Sequence, residues 1–127
     1  MKFTLGKQER LKSRKIIARL FSEGNSIKVY PLRMVYLQTE HTSNAPVQFG
    51  VSVPKRNFKK AVDRNKIKRL LRESYRLQKN IVYSEVDKPY VFMISYLAKE
   101  ERQFANLKSS MEKLLVKFTE KISEDEK

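Results

Sequence analysis

Between Lys55 and Lys79 the chain carries eleven lysines and arginines and only two acids, Asp63 and Glu73. Guanidinium and ammonium groups at this density do one kind of chemistry well. They neutralise phosphates and release counterions, which gives affinity for a polyanion without reading its sequence. Arginine adds a planar fork that binds phosphate oxygens in pairs and stacks on bases. Asn65 stands inside this run as its odd residue, able both to donate and to accept. The side chains needed for most protein-based catalysis are missing. There is no cysteine, the single histidine is His41 in a polar stretch, and the three glycines (Gly6, Gly24, Gly50) are scattered. That excludes disulfides, thiolate metal sites, a cysteine nucleophile, histidine clusters and glycine-rich phosphate loops. Glu85 and Asp87 read as polar loop residues rather than a catalytic pair. No catalytic residue and no protein-held metal are therefore expected.

The whole chain has 127 residues and a formal charge of +14, and the excess sits in two places. Residues 1–19 hold seven bases and Glu9; residues 20–54 hold two of each sign; residues 80–127 hold eight bases and nine acids. Solvated faces normally mix signs, so a run as one-sided as 55–79 points to nucleic acid ahead of a membrane surface or an acidic protein. The length fits one domain with its own core. No apolar run approaches the roughly 18–20 residues of a membrane span. The start, Met1 to Gly6, lacks a signal peptide's apolar stretch. A cytoplasmic protein, monomeric on its own and not bound to membranes, is expected.

The elements that must position these groups are legible from periodicity. Ser13 as N-cap and Gly24 as stop frame a helix over 14–23, with Ile16, Ile17, Leu20 and Phe21 on one face. Residues 29–37 are rich in strand formers, with Pro31 at a strand start or edge. A polar turn over 38–46 leads to a second strand at 48–53, ended by Pro54, and the short connection predicts an antiparallel hairpin. Over 60–79 a helical wheel puts Ile67, Leu70, Leu71, Tyr75 and Leu77 on one side and Asn65, Arg69, Arg72, Arg76 and Lys79 opposite. Arg64 falls off the polar arc and is expected to reach out past the helix end. Residues 80–89 read as a loop. Tyr90 to Leu97 is apolar throughout, the pattern of a strand buried on both faces. A last helix runs from about Glu101 to Ile122, with residues 119–127 expected to fray. The order is α-β-β-(β)-α-β-α: a single α+β domain over 1–127, about four strands with three helices.

The run Lys59-Lys60-Ala61-Val62-Asp63-Arg64-Asn65-Lys66-Ile67-Lys68-Arg69-Leu70-Leu71-Arg72-Glu73 resembles the signature of the bacterial ribonuclease P protein subunit. Phe49-Gly50-Val51-Ser52-Val53-Pro54-Lys55-Arg56 is similar to the strand leading into it, and residues 10–24 resemble the family's first helix. The resemblance spans about 8–118. It implies an α/β sandwich with a left-handed crossover, and an enzyme whose active site lies in a large RNA using magnesium. The resemblance further implies that the protein would assist removal of the 5′ leader from precursor tRNA. Arg64, Asn65, Lys66, Lys68, Arg69 and Arg72, flanked by Lys55, Arg56 and Lys60, would bind the catalytic RNA. Lys66 stands where many members have arginine, keeping charge but losing the fork. Phe21 and Tyr36 would line the leader cleft, with Ile17 where some members place a further aromatic. Partners would be the ribonuclease P RNA and precursor tRNA; the alternative is a non-catalytic binder of structured RNA.

Overall fold

A computed structural model describes residues 9–39 and 45–125; His41 lies outside them. Helix α1 (Arg14–Glu23) begins where the Ser13 hydroxyl accepts the Ile16 N–H at 3.3 Å. Strands β1 (Asn25–Val29), β2 (Leu32–Gln38) and β3 (Val47–Ser52) follow, then α2 (Ala61–Arg76), a short α3 (Asn80–Tyr83), β4 (Tyr90–Tyr96) and α4 (Phe104–Asp125).

The four strands form one sheet in the order β1-β2-β4-β3. The β1–β2 and β2–β4 pairs are antiparallel, while β3 and β4 are parallel. The hairpin expected between β2 and β3 is therefore absent: β4 lies between them. The physical reason is in β4 itself. Its continuous apolar run needs cover on both faces and on both edges, which only an interior strand obtains. The real hairpin joins β1 to β2 through Tyr30-Pro31, because Pro31 has no N–H to give a ladder and splits the expected 29–37 strand.

Side-chain alternation sorts the sheet into two faces. Met34, Tyr36, Phe49, Phe92 and Ile94 face α2 and α4, where Phe118 meets Phe92, Tyr36 and Tyr90 edge-on at 4.6, 4.9 and 5.2 Å. Val35, Val91 and Met93 face α1, which seals them with Leu11 and Leu20. The far end of α4 does not fray at 119: the helix continues to Asp125, because Ile122 is 4% exposed and belongs to the main core. Residues 80–83, read as loop, form α3 around the buried Val82.

Gly24 ends α1 with φ −75°, so it is not there for a left-handed turn. It is there for space. A Cβ would meet the Leu20 carbonyl at 2.4 Å, the Tyr36 carbonyl at 2.8 Å and Val35 Cγ1 at 2.9 Å. Gly24→Ala is expected to destabilise the fold by roughly 1–3 kcal/mol, read from thermal unfolding, since two of the three obstacles are backbone.

Candidate nucleic-acid interface

Two surfaces carry the charge, and α2 builds the first. Its inner face packs Ile67, Leu71 and Tyr75 into the core, with the Tyr75 ring stacked flat on Phe49 at 3.9 Å between centroids. Helical geometry then turns Asn65, Lys66, Arg69 and Arg72 outward, and all four are exposed; Lys68 is half-exposed. Lys55, Arg56 and Lys60 are exposed on the preceding segment. That segment is held by the buried Val53 and Phe58 and by the Asn57 and Phe58 N–H groups donating to the Pro54 carbonyl.

Three basic residues are engaged within the protein, and one of them, Lys79, contradicts the sequence expectation. Arg64 does reach back past the start of α2, but to backbone carbonyls of the preceding segment rather than out to solvent. Its Nη1 donates to the carbonyls of Phe58 and Lys59 at 2.8 and 2.9 Å. It ties the basic segment to the helix it enters, so it positions the cations around it. Lys66 pairs with Glu101 at 3.2 Å, an exposed bridge of small worth. Lys79, assigned to the outward face, is buried. Its Nζ donates to both Glu9 carboxylate oxygens at 2.9 and 2.7 Å, and the Tyr83 hydroxyl donates to the same carboxylate. The reason is that α2 ends at Arg76, so the wheel no longer applies at 79.

The Glu9 anchor matters because it fixes a wall of the second surface. Next to it, Arg10 bridges to Phe49 and the Leu11 N–H donates to the Phe49 carbonyl at 3.0 Å, laying residues 9–11 along the free edge of β3. Between this segment, α1 and the sheet lies a groove of about 330 Å³. Leu11 and Ile17 form its apolar wall, Gly50 and Met93 its floor, and Arg10, Lys12 and Arg72 its charged rim. A Cβ on Gly50 would stand 3.1 Å from Met93 Cε and 3.6 Å from Leu11 Cβ, so glycine keeps the floor low. Partial burial, and then the neighbouring Arg10, pull the Arg72 guanidinium below its ordinary value. It stays charged, beside another cation. Lys79→Met is expected to cost about 3–5 kcal/mol by removing the buried ammonium that the Glu9 carboxylate accepts from. The matched double variant Glu9→Gln/Lys79→Met recovers most of that loss in the same denaturant titration.

The aromatic residues separate. Phe21 lies one helical turn beyond Ile17 and is 55% exposed, so it is not a core residue. Tyr36 is the correction: it is 3% exposed and packs against Phe118, on the face away from α1. Its neighbours Val35 and Leu37 face α1 instead. Arg10, Lys12, Leu11, Gly50 and Met93 are groove residues that sequence reasoning did not single out. The signal for the first two was the one-sided charge of residues 1–19.

A basic helix that shares Arg72 with an open, cation-rimmed groove on a small α+β sheet is the surface of a nucleic-acid-binding protein. Comparison with known proteins makes this specific. The Ribonuclease P family model matches residues 5–119. The ribonuclease P protein component of Porphyromonas gingivalis is 38% identical over 120 residues, covering 91% of this chain and 87% of the relative. That of Chlorobaculum tepidum is 40% identical over 81 residues, covering 61% and 53%. The solved ribonuclease P protein of Thermotoga maritima superposes with a TM-score of 0.70 at 24% identity, covering 86% of this chain and 96% of that one. The Staphylococcus aureus protein gives 0.67 at 22%, covering 84% and 92%; at these identities the likeness speaks for the fold. The chain belongs to the ribonuclease P protein family, the protein subunits of the ribonucleoprotein that processes tRNA 5′ ends. Its RNA partner is the ribonuclease P RNA.

Proposed function

We propose that this chain seats the catalytic RNA on the outward face of α2 and holds the 5′ leader of precursor tRNA in the groove between α1 and the sheet. The observation that carries this reading is Arg72. It stands on the RNA-facing side of α2 and also on the rim of the groove, so a strand bound in the groove lies beside RNA bound on the helix. Asn65, Lys68, Arg69 and Arg72 meet phosphates directly, with Lys55, Arg56 and Lys60 alongside and Arg64 holding the segment in place. Phe21 offers a ring to a leader base, and aliphatic Ile17 contributes apolar contact.

Bond cleavage belongs to the RNA in this reading, with magnesium held mainly there. Among the described residues no group of three or more acidic or histidine side chains could hold a metal ion, and no step is assigned to a metal on this chain. Among the described residues no helix is long and apolar enough to cross a membrane. The protein works in the cytoplasm, a monomer until it joins the RNA. The test is leader release from precursor tRNA by the matching ribonuclease P RNA, at magnesium too low for the RNA alone. Strong stimulation by this chain is expected. Tight RNA binding with no stimulation would overturn the assignment.

A further inference from the structure

The sheet face toward α1 is longer than the helix that covers it. Register places its side chains in rows across the strands. One row runs Ser26, Val35, Met93, Gly50, with Met93 and Gly50 as the groove floor. The next row runs Lys28 on β1, Arg33 on β2, Ser95 on β4 and Ser52 on β3, each in register with the next. None of these four joins the apolar cluster beneath α1. Lys28 and Arg33 are exposed, and the two serines are half-exposed.

This row is chemically unlike its surroundings. Lys28 and Arg33 are the only two bases in residues 20–54, yet the fold sets them directly opposite each other. Like charges in that position repel, and neither has a carboxylate partner among the described residues. Arg33 Nε donates to Ser26 Oγ at 3.3 Å, which lays the guanidinium across β1 and leaves its Nη groups for an acceptor. A lysine on an edge strand such as β1 also discourages strand addition. Arg33 is on β2, an interior strand, where that use does not exist. Two cations and two hydroxyls in one row, about 7 Å along the strands from the row of the groove floor, offer the charge and hydrogen-bond donors that phosphates leaving the groove would need.

We propose that Lys28, Arg33, Ser95 and Ser52 form a phosphate-binding extension of the groove, which takes the backbone of the single-stranded RNA leader as it leaves Met93. This deepens the leader reading above and rests on it. The site recognises phosphate rather than base, so it adds affinity for longer leaders without sequence preference.

The test uses the assembled holoenzyme with Lys28→Gln/Arg33→Gln, and precursor tRNAs whose leaders lengthen stepwise from two nucleotides to ten. Wild-type affinity is expected to rise with leader length. The double variant is expected to match wild type on the shortest leader and on mature tRNA, to bind the longest leader about 10-fold more weakly, and to show a shallower salt dependence by about one to two phosphates. A variant that tracks wild type at every length overturns the extension and leaves the groove intact. Equal loss on mature tRNA also overturns it, assigning the cations to another part of the RNA. A wild-type holoenzyme indifferent to leader length overturns the leader reading and the extension together. Arg33→Gln alone should give part of the loss with an unchanged melting temperature.

Discussion

Alanine at Lys68 and Arg69 together is expected to weaken binding of the ribonuclease P RNA by about 2 kcal/mol, roughly 30-fold, and to reduce the slope of log K against log salt by about two. Neither side chain has an ion pair or hydrogen bond among the described residues, so the folded protein loses little when they go. Titrations at several salt concentrations, paired with a melting curve, check both halves. Arg64→Ala provides the contrast. It removes two donors from the Phe58 and Lys59 carbonyls, and a typical intramolecular hydrogen bond contributes about 1 kcal/mol, more when the donor is charged. Its RNA-binding defect should arrive with a lowered melting temperature and a loosened 54–60 segment. An unchanged salt slope for Lys68→Ala/Arg69→Ala would remove the outward face of α2 from the RNA interface.

That contrast shows where reading the sequence succeeds and where it stops. The wheel over α2 separates Ile67, Leu71 and Tyr75 from Asn65, Arg69 and Arg72 correctly, because sixteen helical residues keep one period. It fails at Lys79, three residues past the last helical one, where the deciding partner is Glu9 from seventy residues away. Arg64 is similar: its angle on the wheel was known, but not that two carbonyls of the incoming segment point back at it. Connection length misleads about strand order here, although β4 carries the opposing signal in its own unbroken apolarity. The row of Lys28 and Arg33 was invisible for a related reason. Five positions apart in sequence, they become neighbours only when β1 and β2 pair in one particular register, and a register shift of one would send them to opposite faces.

Register also decides the last expected result, on the two aromatics. Phe21→Ala is expected to leave the melting temperature nearly unchanged, since its ring is more than half exposed on α1. A ring stacked on one base contributes about 1–3 kcal/mol. The variant holoenzyme should therefore lose about 5- to 150-fold of its preference for precursor over mature tRNA. Tyr36→Ala does the reverse. Its ring is wedged edge-on against Phe118 in the α4 layer, and emptying such a site costs about 3–5 kcal/mol. For a domain whose total stability is about 5–15 kcal/mol, that is a large share, and its binding defect should affect precursor and mature tRNA equally, following the folded fraction. Melting curves beside precursor and mature tRNA titrations separate the two. The parity of β2 requires this division: Val35 and Leu37 face the groove helix, so Tyr36 between them faces away. If Phe21→Ala instead melts early and loses both RNAs alike, the ring is a packing residue, and leader affinity falls to the cations of the rim and to Arg33 and Lys28 beyond it.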